Sequence, residues 1–379
     1  MKIYYWAPFL SNIATVSSVI RSIESLKAYN KNKLEIYIID SVGEWNQISD
    51  KIEDISVIRL YRNSFIEKLP KGGFIKSRFT QLFIFIYSFF KILKILKKNQ
   101  PDFLIAHLII SLPLVVMGFL KTKTKLIIRI SGLPKLNFFR KFYWGCFSKN
   151  VYKVTCPTIA TFQKLKLLKI FAKDKLHILY DPIISTKEII EKQNKNIELK
   201  FKGKKLIVAI GRLTKQKNFS LLIHAFKKIK NKYPDYHLII LGEGEEKLKL
   251  QKLINELDLS KFTHLLGYKK NAYKYLSKAK CFILTSLWED PGFVLLEASY
   301  LNTPIISSNC PNGPSEILSN NDRGFLFKNN NIEDLLRSFD EFHSSSDEKI
   351  KKKVLKAKIN SKKYTKFNHF LQINKILQL

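Results

Sequence analysis

AKCFILTSLWEDPGFVLLEASYL, residues 279–301, changes period halfway along. Ala279–Thr285 is a short apolar run of the kind that forms a buried strand. Phe293–Leu301 carries apolar residues at helical spacing. Gly292 stands where the chain must turn from one to the other. Strand, loop and helix in that order are the unit of a parallel α/β sheet. In such sheets ligands bind outside the carboxyl ends of the strands, against the free N–H groups of the next helix. Glu289 falls in the loop and Glu297 about a turn into the helix, eight positions apart. Two unrelated surface carboxylates would look the same in this segment taken alone.

An earlier segment repeats the plan with the opposite charge. LIVAIGRLTKQKNFSLLIHAF, residues 206–226, is again strand, loop and helix. Its loop carries Arg212 and Lys217. A guanidinium can fork onto phosphate oxygens, and an ammonium can act as a point charge beside it. Two solvated bases would be the plain reading of this loop by itself. Its pairing with the two-glutamate loop about seventy residues later, in a chain organised as here, is what makes a site of it.

With these segments in order, the chain resembles the retaining glycosyltransferases of the GT-B fold, family 4 (glycosyltransferase group 1), a large group of bacterial sugar transferases. The resemblance rests on Gly-Arg-Leu-x-x-x-Lys at 211–217 and on Glu-x7-Glu at 289–297. Leu241-Gly-Glu-Gly-Glu-Glu-Lys247 and Leu266-Gly-Tyr268 lie between them in the right order. Nearly all of the specific pattern lies within 204–336. The first half matches more loosely, chiefly through Pro101-Asp-Phe-Leu-Ile-Ala-His107.

The resemblance implies a GT-B architecture: two Rossmann-like, doubly wound parallel-sheet domains facing a central cleft. It implies a nucleotide diphosphate sugar as donor, with Arg212 and Lys217 at the phosphates. Backbone N–H groups of Gly292, Phe293 and Val294 would add to the same anion site. It gives Glu297 the nucleotide, as acceptor of the ribose hydroxyls, and Glu289 the donor sugar near the reacting centre. It gives His107 a place beside the bond that breaks, with a satisfied structural histidine as the rival role. Arg212 and Lys217 sit on loops, so their substitution is expected to spare the fold.

The chain also departs from the family pattern. The usual Glu-Gly-Phe-Gly is Glu289-Asp-Pro-Gly292 here, and Pro291 removes one N–H. The usual glycine pair of the first loop is replaced by Pro8-Phe-Leu-Ser-Asn-Ile-Ala-Thr15, where Ser11 and Asn12 are the remaining donors. Asn312-Gly-Pro-Ser-Glu316 resembles the family's late glycine loop, with Glu316 at a helix start. No Asp-x-Asp occurs anywhere in the sequence. No cofactor and no metal are therefore expected, the two cations taking the role of a divalent ion.

Length and alternation agree with two domains. At 379 residues the chain is long for one core. The expected division is an acceptor-side domain at 1–190, a linker at 191–204, a nucleotide-sugar domain at 205–360 and a last helix at 361–379. By the resemblance that helix crosses back to the first domain. The polar stretch from Thr186 to Lys204 has few apolar residues and reads as linker or loose crossing. Met1-Lys-Ile-Tyr-Tyr-Trp6 reads as a first strand rather than a signal peptide. Four cysteines show no Cys-x-x-Cys pair. A reducing cytoplasm fits them best, with Cys156 and Cys281 as core thiols.

Lys and Arg number 66 against 31 Asp and Glu, a formal net charge of +35. Such an excess attracts polyanions. None of the recurrent nucleic-acid reading motifs is present, so nucleic acid is not an expected partner. Codon bias toward Lys, Asn and Ile is a second source of the excess. Phe103–Leu120 is nearly as long as a membrane span, but His107 and Pro113 divide it into strand, turn and helix. Leu82–Leu96 is rich in aromatics and is followed through by Lys91, Lys94, Lys97 and Lys98. A core-facing helix is the plainer reading of it, and a helix docked at a lipid surface the other.

The expected partners are a nucleotide-sugar donor, a glycan or lipid-linked acceptor, and an anionic membrane surface. The expected place is the inner face of the cytoplasmic membrane, in surface polysaccharide or lipopolysaccharide synthesis. A sugar-nucleotide epimerase of the same fold is one alternative, and a non-catalytic basic binding protein another.

Overall fold

The computed structural model describes residues 1–10, 14–30, 34–51, 54–70, 74–132 and 138–379. Ser11 and Asn12 lie outside the described residues. Two units make up the chain: Met1–Pro182 with Lys366–Leu379, and Ile183–Thr365.

The first unit is built on seven strands: β1 (Lys2–Trp6), β2 (Glu35–Asp40), β3 (Ser56–Arg59), β4 (Phe103–Ala106), β5 (Lys125–Arg129), β6 (Val151–Cys156) and β7 (Leu176–Ile178). They form one parallel sheet in the order β3-β2-β1-β4-β5-β6-β7. Helices α1 (Ala14–Tyr29), α2 (Phe74–Asn99), α3 (Ser111–Phe119), α4 (Phe138–Phe147) and α5 (Ile159–Leu168) connect them. Alternation along β1 divides the core. Tyr4 and Trp6 pack with Leu104, Ile84, Leu112 and Trp144 on one face. Ile3 and Tyr5 pack with Ile105, Val19 and Ile373 on the other. A strand buried on both faces reads as an unbroken apolar run, which is why these segments are visible in the sequence.

The second unit repeats the design with β8 (Lys205–Ile210), β9 (Tyr236–Leu241), β10 (Thr263–Leu265), β11 (Cys281–Leu284), β12 (Ile305–Ser308) and β13 (Phe325–Phe327). Their order is β10-β9-β8-β11-β12-β13, again all parallel. Its helices are α6 (Thr186–Gln193), α7 (Phe219–Lys232), α8 (Lys247–Glu256), α9 (Tyr273–Leu276), α10 (Phe293–Tyr300), α11 (Pro314–Leu318), α12 (Ile332–Ser344) and α13 (Asp347–Ser361). The last helix, α14 (Lys366–Leu377), belongs to the first unit and packs on α1. Two doubly wound parallel sheets of this kind constitute the GT-B architecture.

Three expectations need correction. The stretch read as linker, 191–204, is docked on the second unit. Ile189 of α6 is buried, and so is Phe201. Asn271 Nδ2 donates to the Lys192 carbonyl at 3.0 Å, and Ser277 Oγ to that of Gln193 at 2.8 Å. Tyr275 OH donates to Glu198 at 2.6 Å. Side chains of another segment satisfy this backbone, so its own polar composition says nothing about looseness. The unit boundaries accordingly fall at 182/183 and 365/366 rather than at 190 and 360. Helix α2 is the third case. Ile84, Ile92 and Leu96 face the core, but Phe79, Leu82, Ile86 and Phe90 are exposed, Phe90 to 78%. Among the described residues it is the one helix long and apolar enough to cross a membrane, by length and composition only. Phe103–Leu120, by contrast, is β4, a turn and α3.

Candidate active site

Each sheet reverses its direction of winding once, and ligand crevices form at such points. In the second unit the reversal lies between β8 and β11, whose residues Ile207 and Cys281 pair. The loops leaving these two strands are the two charged segments of the sequence.

The loops are tied together through their backbones. Leu287 N–H donates to the Gln216 carbonyl at 2.8 Å, and Gln216 Nε2 returns a bond to the Trp288 carbonyl at 2.8 Å. Thr285 Oγ1 donates to the Lys217 carbonyl at 2.9 Å. The Gly-Glu-Gly segment after β9 holds the first loop from its other side. Leu213 N–H bonds the Glu243 carbonyl at 2.9 Å. A Cβ on Gly242 would lie 1.8 Å from the Gly211 carbonyl oxygen, and φ there is +148°. Only glycine lets the two backbones approach this closely.

Lys217 and Glu289 meet within this frame. The ammonium lies 2.5 Å from Glu289 Oε1, with both side chains largely buried. Ser286 Oγ donates to the same oxygen at 2.6 Å. Glu289 N–H is held by the Pro311 carbonyl at 3.2 Å. Sequence reasoning assigned nothing to Ser286; its spacing three residues before Glu289 is the signal that would have found it. Cys310 lies close by, and burial pushes its thiol up to about 11. It is a buried thiol, as are Cys156 and Cys281.

Arg212 is exposed and lines a crevice of about 480 Å³ with Glu246, Lys249 and Trp288. Gly292, in left-handed conformation, starts α10. The first N–H groups of a helix have no partner within it, so those of Phe293 and Val294 are available as anion donors. Pro291 offers none, and Asp290, before it, accepts from Asn312 Nδ2 at 2.7 Å. Glu297 is half-buried on α10 and accepts from Tyr273 OH at 3.3 Å. Glu316 is in the first turn of α11. Among the described residues no three His, Cys, Asp or Glu side chains gather as a metal site.

His107 belongs to the first unit. It follows β4 at that sheet's own reversal, between β1 and β4, and its N–H bonds the Trp6 carbonyl at 2.9 Å. The ring is buried and tilts over Tyr5 at 5.9 Å. Its Nδ1 has no hydrogen-bond partner. Burial, reinforced by Arg129 and His369, pulls its pKa well below the usual histidine value, which keeps the ring neutral.

This geometry defines a GT-B protein with a charged crevice at the winding reversal of its second sheet. Comparison with known proteins agrees. Residues 190–363 match the family glycosyl transferases group 1, so the resemblance carried by the second half of the chain holds. An uncharacterized glycosyltransferase of Methanocaldococcus jannaschii is 35% identical over 259 residues, 60% of this chain and 61% of that protein. The N-acetylgalactosamine-N,N'-diacetylbacillosaminyl-diphospho-undecaprenol 4-alpha-N-acetylgalactosaminyltransferase of Campylobacter jejuni is 33% identical over 193 residues, 51% of this chain and 50% of its own length. The chain thus spans one half to three fifths of these relatives. In fold it is similar to a glycosyltransferase from Rickettsia africae, with a TM-score of 0.73 at 20% identity, covering 100% of this chain and 97% of that one. It is similar also to the Anabaena protein HepE crystallised with UDP, with a TM-score of 0.75 at 15% identity over the whole of both chains.

Proposed function

We propose that this protein is a retaining, metal-independent glycosyltransferase. It moves a sugar from a nucleotide diphosphate sugar to a glycan or lipid-linked acceptor in surface polysaccharide or lipopolysaccharide synthesis. The observation that carries the proposal is the Lys217–Glu289–Ser286 cluster beside Arg212 and the start of α10. Departure of a nucleoside diphosphate builds negative charge on the phosphate and positive character on the anomeric carbon. Arg212, Lys217 and the Phe293 and Val294 N–H groups are suited to the first. The incoming diphosphate competes for Lys217, which frees Glu289 to accept hydroxyls of the donor sugar. Glu297 holds the ribose. His107, neutral, lies at the acceptor side.

Several relatives support the biosynthetic setting. The Campylobacter protein acts on a diphospho-undecaprenol acceptor by its name, and another relative, from Rhizobium meliloti, is a lipopolysaccharide core biosynthesis glycosyltransferase. The exposed apolar face of α2 and the basic charge support work at the inner face of the cytoplasmic membrane. The test begins with a panel of nucleotide sugars, scored by the rise in Tm that binding to the native state produces. The donor so identified is then incubated with and without acceptor, with EDTA present throughout, and the anomeric configuration of the product is read by NMR. Retention of configuration, dependence on acceptor and indifference to EDTA are expected. Isomerised donor formed without acceptor, an inverted linkage or a strict metal requirement would each overturn the corresponding part.

A further inference from the structure

Glu289 is held through one of its two oxygens. Lys217 Nζ at 2.5 Å and Ser286 Oγ at 2.6 Å both reach Oε1. Oε2 meets no donor among the described residues, yet it is not sealed, so the 7% exposure of this residue includes it. The carboxylate therefore has a holding oxygen and an oxygen left open to a ligand.

The two donors on Oε1 differ in kind. Ser286 lies two residues past β11, is fully buried, and its carbonyl accepts from Ser308 Oγ at 2.7 Å. Its hydroxyl is two bonds from this fixed backbone and cannot follow a ligand. Lys217 reaches the same oxygen at the end of a four-carbon stem. The stem lies along Gly211, where a Cβ would come within 3.1 Å of Lys217 Cγ, Cδ and Cε. Its ammonium has three donors and can turn to another acceptor. An anion arriving at the start of α10 thus draws on Lys217 and leaves Ser286 where it is.

We propose that Ser286 is a positioning residue: when a diphosphate draws the Lys217 ammonium away, Ser286 keeps Glu289 Oε1 in place, so that Oε2 is the oxygen presented to the sugar. That the diphosphate belongs to a sugar donor rests on the glycosyltransferase reading; the handover of the ammonium does not.

The probe is inorganic diphosphate, the part that nucleoside diphosphate donors share. Its binding to the full chain is measured by calorimetry in the parent, in Ser286→Ala, in Glu289→Gln and in the two combined. Glu289→Gln keeps the shape of the side chain and removes its charge. A hydrogen bond to a charged group counts for more once the other cation has left, so Ser286→Ala is expected to lower diphosphate affinity fivefold or more. In the Glu289→Gln background the same substitution is expected to change affinity less than twofold, because no carboxylate remains to be held. A serine that only fills space would act equally in both backgrounds. Equal effects, or none in either, would overturn the proposal, as would unchanged diphosphate affinity in Lys217→Met. Urea midpoints check the site without ligand. Ser286→Ala with Lys217→Met is expected to lose more than the sum of the two single variants, since Oε1 then has no donor. Additive losses would overturn the shared hold on Oε1. All of these outcomes are read without turnover, so they stand apart from the product assay that tests the transfer reaction.

Discussion

Arg212 and Lys217 have the same charge and neighbouring loop positions, yet the structure separates their consequences. Arg212 is exposed, so Arg212→Ala is expected to leave Tm within about 1 °C, since surface changes stay within about 0.5 kcal/mol. It should weaken nucleoside diphosphate binding by about 1.5–3 kcal/mol, the range for a hydrogen bond to a charged group. Lys217 neutralises buried Glu289. The expectation that any change on this loop spares the fold therefore fails for Lys217→Ala, which strands a carboxylate with only Ser286 and neighbouring dipoles. Removing one partner of a buried pair costs about 3–5 kcal/mol. The double variant Lys217→Met, Glu289→Leu should recover much of that stability while remaining inactive. Calorimetric Tm and UDP titration of the three variants separate these effects. A single Lys217→Ala variant as stable as the parent would dissolve the pair as a structural element. The two charges were legible in the sequence because both loops keep strand–loop–helix order. Their contact was not, because 72 residues and three strands separate them. Only the β8–β11 pairing brings the loops together.

At the scale of elements, α14 shows what sequence patterns leave out. Its segment could be read as helical, but what holds it is a set of polar contacts with distant partners. His369 Nε2 meets Ser22 Oγ at 2.8 Å, and Nδ1 meets the Tyr180 carbonyl at 2.7 Å. Gln372 accepts from the Tyr180 N–H at 3.1 Å. Burial, with Arg129 nearby, lowers His369 to about 4 from an ordinary 6.5. The sign follows from linkage. Between pH 6.5 and 4 the unfolded chain binds a proton that the folded chain refuses, so stability falls as pH falls through that window. His107, depressed for the same reason, adds to the slope. His369→Gln should flatten part of the acid limb between pH 6.5 and 4 in urea titrations. An unchanged slope would mean that His369 is charged in the fold. Helices α4 and α6 escaped the sequence for related reasons. Trp144 is the buried anchor of α4, and Tyr143 OH fixes that helix to the Ser111 carbonyl. The single buried Ile189 of α6 gives too weak a period to count. Strands buried on both faces, such as β4 and β11, were legible because every residue in them is apolar.

For the whole molecule, the two sheets share one plan: each reverses its winding once, and a pocket or crevice opens beside the reversal, lined by charged loops in the second unit. What distinguishes the first unit is the face it leaves to solvent. Exposed Phe79, Leu82, Ile86 and Phe90 recur at helical spacing on α2, and Phe138 and Phe142 are exposed on α4, more than single scattered apolar residues account for. Lys91, Lys94, Lys97 and Lys98 lie on the same helix. Each basic residue close to an anionic surface contributes about 1 kcal/mol, and screening weakens that within a Debye length of roughly 8 Å at physiological salt. The aromatic face contributes a part that salt does not screen. We therefore expect the protein to sediment with phosphatidylglycerol-containing vesicles at low salt and to be released in large part, not wholly, at high salt. Lys94→Gln with Lys98→Gln should reduce binding at low salt. Ile86→Ser with Phe90→Ser should remove the fraction that resists salt. If neither pair alters sedimentation, α2 is not the docking element. If the parent binds vesicles at no salt concentration, the +35 charge is compositional, and a soluble acceptor becomes the better assignment for the first unit.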